Sequence, residues 1–189
     1  MSVAPGSLPL MNRYAAWLRG IMPSNPNMRN EKVRAVFEGL GYEGVGSVLA
    51  SGNIVFGSTE TDITAMESRI QAALQAELGI AGGTIIRSRE EVQKLVDSDP
   101  FPGLTHCRGT YLTATFVKDR AGSAPPELPG DLASAVRIVR FDEPARALLA
   151  VIDNSVAGTP NHMAWLETVY GKDITTRTWL TVQKVLAKL

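Results

Sequence analysis

From Arg13 to Arg87 the apolar residues switch between the two-residue period of a strand and the 3.6-residue period of a helix, in the order strand, helix, strand, strand, helix, strand. That order over so short a segment points to a ferredoxin-like split βαβ arrangement, in which two helices cover one face of an antiparallel sheet. Arg13 to Gly20 is the first strand, and Met22-Pro23-Ser24-Asn25-Pro26-Asn27 is loop chemistry behind it. Val33, Val36, Phe37 and Leu40 recur at helical spacing, with Asn27 or Asn30 as N-cap and Gly41 as the stop. Val45 to Ala50 and Ile54 to Phe56 flank Ser51-Gly52-Asn53 and read as a hairpin. Ile63, Met66, Ile70, Leu74 and Leu78 form the second helical stripe, with Thr64 and Glu67 spaced for a capping box, and Thr84 to Arg87 closes the unit as a strand.

Ser88 and Glu91 repeat the capping-box spacing ahead of Val92, Leu95 and Val96, a third helix that ends at Asp99-Pro100 and reads as a connector. Tyr111 to Val117, Val136 to Phe141 and Ala147 to Ile152 are the next strands, and Thr159-Pro160 opens a helix carrying Met163, Leu166 and Tyr170. Thr175 to Thr178 caps a last helix whose Trp179, Val182, Leu186 and Leu189 share a face. The second half thus echoes the first, on element order rather than on residue identity. The expected fold is α+β: a flexible tail over 1–11, a ferredoxin-like domain over 12–87, a helical connector and loop over 88–109, and a second ferredoxin-like domain with a C-terminal helix over 110–189.

Nineteen Lys plus Arg balance nineteen Asp plus Glu among 189 residues, which argues against a bulk polyanion binder. Hydrophobic residues make up 44%, so disorder is excluded, and a chain of this length buries roughly 70% of its unfolded surface without needing a disulfide or metal. Cys107 is the single cysteine, which fits a reducing cytoplasm. No apolar run approaches the about 20 residues of a membrane span, and the opening residues, broken by Pro5 and Pro9, do not read as a signal peptide. There is no phosphate loop, no dinucleotide fingerprint, no nucleophile elbow and no metal-ligand spacing, and no cofactor is expected.

Chemistry is sparse. Strand alternation puts Arg13, Ala15, Trp17 and Arg19 on one face. On an open sheet Trp17 could stack a base between the arginines; alternatively a second domain covers Trp17 and the arginines pair with carboxylates. Ser51 and Asn53 offer a hydroxyl and an amide at a strand end, as a plain hairpin turn also would. Thr176 and Arg177, read at a helix start, combine free N–H groups with a cation, although ordinary capping also explains the threonines. His106, Cys107 and His162 could in principle converge as a catalytic group, but a lone loop thiol is commonly incidental.

The linked elements Leu18-Arg19-Gly20-Ile21, Ser51-Gly52-Asn53-Ile54-Val55-Phe56 and Thr175-Thr176-Arg177-Thr178-Trp179 resemble the bacterial family called domain of unknown function 1697. The resemblance covers nearly all the chain after Met11. It implies a pair of ferredoxin-like α/β-plait domains and carries no established activity. Where many relatives have an N-V-G-G type loop, this chain has the stiffer Met22-Pro23-Ser24-Asn25-Pro26.

Three readings of function follow. The first is a binding module for a small phosphate or carboxylate ligand, held by Arg19, Ser51, Asn53, Thr176 and Arg177. The second is a single-stranded nucleic-acid binder using Trp17, and the third an enzyme of unassigned reaction using the same pocket. Pairing of the sheet faces within or between chains is the structural alternative.

Overall fold

The computed structural model describes residues 10–50, 52–118, 127–156 and 162–189. The first half contains β1 (Asn12–Leu18), a short 3-10 turn (Pro26–Met28), α1 (Asn30–Gly39), β2 (Glu43–Ser47), β3 (Asn53–Ser58), α2 (Ile63–Leu78), β4 (Thr84–Ser88) and α3 (Arg89–Asp97). The second contains β5 (Tyr111–Val117), β6 (Val136–Asp142), β7 (Ala147–Ile152), α4 (His162–Tyr170), β8 (Ile174–Thr178) and α5 (Trp179–Leu186). Two four-stranded antiparallel sheets result, in the orders β2-β3-β1-β4 and β6-β7-β5-β8. The architecture is α+β, with two ferredoxin-like subdomains.

Alternation along the strands sends one set of side chains outward and the other between the sheets. Outward, Tyr14, Ala16, Leu18, Ile54 and Phe56 meet Val33, Val36 and Phe37 of α1 and Met66, Ile70 and Leu74 of α2. Inward, Ala15, Trp17, Val55 and Ile85 of the first sheet meet Leu112, Ala114, Phe116 and Leu149 of the second in one cluster. The same cluster takes in Val92 and Leu95 of α3 and Trp179, Val182 and Val185 of α5. The helix expected as a connector is therefore part of the central core.

Several local expectations change. Asp62, not Thr64, caps α2 by accepting from the Ala65 N–H at 3.0 Å. Glu67 is freed from capping and lies 99% buried, its Oε1 accepting from the Ile86 N–H at 2.8 Å. The Ser88–Glu91 capping box forms as expected. Thr175, Thr176 and Arg177 belong to β8, and Thr178 alone caps α5, by accepting from the Thr181 N–H. A strand intervenes because Ile174 to Thr178 pairs with β5, a partner that local sequence cannot reveal. The Thr159-Pro160 helix start lies outside the described residues.

Strands β1, β3 and β4 match β5, β7 and β8 residue by residue. Ala15 stands opposite Val55 and Arg87, and Ala114 opposite Leu149 and Arg177. Two positions on along each central strand come Trp17 and Phe116, whose rings stack on each other with centroids 4.6 Å apart and planes 12° apart. Laying Arg87 on Arg177 aligns R-S-R-E-E-V-Q-K-L with R-T-W-L-T-V-Q-K-V, so the repeat does extend to residue identity. The cap, the buried valine and the Gln-Lys pair recur in order.

Trp17 is fully buried, and its indole N–H has no partner among the described residues. Trp17→Ala opens a cavity at the junction of the sheets and is expected to cost about 3–5 kcal/mol in denaturant unfolding. Trp17→Phe keeps the stacked ring, removes the unpaired donor and should cost less than half as much.

Candidate functional site

The expected site residues are placed by the seam between the two halves. Trp17 is enclosed between the sheets and presents no face to a base; the second sheet covers it, because both central strands are apolar on that side. Arg19 lies just past β1, its own N–H donating to the Gly83 carbonyl at 2.8 Å. Gly82 is what permits this approach: a Cβ there would fall 1.8 Å from the Arg19 carbonyl oxygen. The Arg19 guanidinium crosses to the second half, where it pairs with the Glu167 carboxylate and donates to the Lys172 carbonyl.

Arg177 projects from β8 towards the first sheet. Its Nε donates to Asn53 Oδ1 at 2.5 Å, one terminal nitrogen to Thr175 Oγ1 at 2.6 Å and to the Thr176 carbonyl at 3.0 Å, and the other to the Leu18 carbonyl at 2.7 Å. Burial lowers its pKa to about 10, which leaves it charged at neutral pH. Asn53 is 99% buried and also donates to the Val48 carbonyl at 2.9 Å, so it pins the hairpin and orients Arg177 from behind. Arg87, the counterpart of Arg177, is fully buried and donates to the carbonyls of Ala145, Ile86 and Val117. Ser51 lies outside the described residues.

Arg19, Thr176 and Arg177 come together in the wall of a cleft of about 380 Å³ on the outer face of the second sheet. Thr113, Ile152, Ile174 and Thr176 contribute from the strands, and Tyr111, Asn154, His162 and Met163 also line it. Thr176 Oγ1 lies 2.8 Å from Thr115 Oγ1 and donates to the Met163 sulfur at 3.1 Å. Asn53 lies behind this wall and meets it through Arg177. Tyr111, Ile152 and Met163 give no functional signal in the sequence, since each reads as an ordinary core residue.

His162, half-buried at the start of α4, has a pKa held below its usual value by desolvation of the charged form. His106 is occupied elsewhere: its Nδ1 accepts from the Leu112 N–H at 3.2 Å and its ring packs on Tyr111. Cys107 is exposed, and hydrogen bonds from Thr110 and the Gly109 and Thr110 backbone lower its thiol pKa. Among the described residues no group of three or more His, Cys, Asp or Glu could hold a metal ion, and no helix is long and apolar enough to cross a membrane.

The family model described as protein of unknown function DUF1697 matches residues 11–134. The chain belongs to that family. The match takes in β1 to β5, and so the Arg19 side of the seam, while β8 with Thr176 and Arg177 lies beyond it. The solved structure of the conserved bacterial protein SP0830 from Streptococcus pneumoniae is similar, with a TM-score of 0.68 at 18% identity, over 95% of this chain and 99% of that one. At that identity the likeness is one of fold, and it extends across both halves of this DUF1697 protein. No curated protein matches the chain.

Because the folded state disfavours protonated His162, the unfolded state binds more protons below a pH of about 6.5, and stability must fall as the pH drops through that window. Thermal unfolding between pH 7.5 and 5 should show this slope, and His162→Gln should reduce it. An imidazole titration followed by NMR should give a midpoint below that of a free histidine.

Proposed function

We propose that this protein is a binding module for a small anionic molecule, taken into the cleft between the second sheet and the start of α4. The observation that carries this reading is the convergence of two cationic side chains from opposite halves, Arg19 and Arg177, on one wall of a largely apolar recess. A guanidinium beside a low-dielectric wall attracts an anion more strongly than one in open water. Ile152, Met163 and Ile174 supply apolar surface for the body of such a ligand, and Thr113, Asn154 and His162 supply neutral hydrogen-bonding groups. Arg177 acts mainly through its field, because its N–H groups already meet oxygens of the seam. Arg19, whose side chain is about one-third exposed, is the one that reaches the ligand.

A thermal-shift and calorimetric screen of carboxylated and phosphorylated metabolites tests the reading, with Arg19→Ala and Met163→Trp alongside the wild type. Losing a charge-assisted hydrogen bond worth about 1.5–3 kcal/mol predicts that Arg19→Ala weakens binding roughly ten-fold or more. Filling the recess with Met163→Trp should abolish it. Unchanged affinity in both variants would remove the cleft as the site.

A further inference from the structure

Beside the edge strand of one half the internal repeat has a buried carboxylate, and beside the matching edge strand of the other it has a cleft. In the first half, Ile86 on the edge strand β4 stands opposite Ala16 but turns its polar groups away from β1. Its carbonyl accepts from Arg87 at 2.6 Å, and its N–H donates to Glu67 Oε1 at 2.8 Å. The other Glu67 oxygen lies 4.0 Å from the Lys118 ammonium, which comes from the second half. A buried carboxylate therefore sits between an edge-strand N–H and a cation from across the seam.

The second half repeats the donors. Thr176 stands opposite Thr115 as Ile86 stands opposite Ala16. Its carbonyl accepts from Arg177 at 3.0 Å, as that of Ile86 accepts from Arg87, so the Thr176 N–H also points off the sheet edge. Lys118 follows β5 as Arg19 follows β1, and their main-chain N–H groups donate to the corresponding carbonyls of Asp173 and Gly83. Arg19 thus stands to the second half as Lys118 stands to the first.

What differs is the group beside the strand edge, for Arg19 has a carboxylate partner in Glu167 as Lys118 has in Glu67. Beside Thr176 stands Met163, its sulfur 3.1 Å from Thr176 Oγ1, and a thioether is a weak acceptor. The space that remains is the cleft, bounded by Thr176, Met163 and Arg19.

We infer that the ligand of this cleft carries a carboxylate, seated on the Thr176 N–H and facing Arg19, in the position that Glu67 fills in the other half. The inference rests on the cleft being a ligand site and narrows its anion to a carboxylate. Planar and two-oxygened, a carboxylate can span a strand N–H and a guanidinium as Glu67 spans Ile86 and Lys118. The ligand's remainder is a short aliphatic or aromatic body against Ile152, Met163 and Ile174. Glu167 already holds Arg19, so it competes with the incoming group and limits affinity.

The test is an amide NMR titration of the full chain with hexanoate and with hexanamide, which match in shape and differ in charge, followed by inorganic phosphate. Hexanoate is expected to move the Thr176 amide proton downfield saturably, with hexanamide at least ten-fold weaker. Glu167→Gln should tighten hexanoate binding several-fold. Met163→Glu, which plants a carboxylate beside Thr176, should shift that amide the same way without ligand and should no longer bind hexanoate. Equal binding of hexanamide, a Thr176 amide that stays still while other cleft signals move, or Glu167→Gln leaving hexanoate binding unchanged or weaker would overturn the carboxylate seat and leave the cleft as a binding site. Phosphate binding at the cleft without hexanoate binding would do the same. If none of the three compounds moves any cleft signal, the binding-module reading falls together with the seat.

Discussion

Two arginines, Arg87 fully and Arg177 partly buried, hold the sheets together. Arg87 and Arg177 occupy matching positions on the edge strands β4 and β8, and each sends N–H groups across the seam to the carbonyl that closes the opposite central strand, Val117 in one case and Leu18 in the other. Strand ends buried between sheets leave carbonyls in need of donors, and a planar guanidinium with five N–H groups can serve several at once. The cost of burying the charge is met by oxygen dipoles on every side. Between the two arginine clusters, the Trp17–Phe116 stack fills the centre, and α3 packs on α5 to close it.

The halves share this frame and differ on their outer faces. α2 runs for sixteen residues and, with α1, covers the first sheet; α4 runs for nine among the described residues, and beside it the cleft borders Tyr111, Thr113 and Thr176. On the first sheet Glu67 accepts from the Ile86 N–H and Thr84 donates to Gln71 Oε1, whereas the second half carries Met163 and a recess. A repeat need not use both copies alike.

The strand and helix periods were legible because they are local: Tyr111 to Val117 and Ala147 to Ile152 read as strands to the residue. Thr175 to Arg177 were misplaced into a helix cap because only pairing with β5 makes them a strand. Glu67 looked like a capping residue for the same reason, since the N–H it serves lies on another element. The repeat was within reach of a self-comparison, through R-S-x-x-x-V-Q-K and R-T-x-x-x-V-Q-K. Of the expected site residues, Arg19, Thr176 and Arg177 do share a wall, whereas Asn53 lies behind it and Trp17 inside the core.

By itself the sequence determined the order of elements apart from β8, and the alternation of the central strands, because those depend on neighbours a few residues apart. Only the tertiary structure decided which face of each sheet meets the other. Burial of Trp17 and Phe116 against each other turned the arginines from exposed candidates into fasteners, and set a cation from one half beside the open face of the other. Such contacts join residues from opposite ends of the chain, and no local pattern records them.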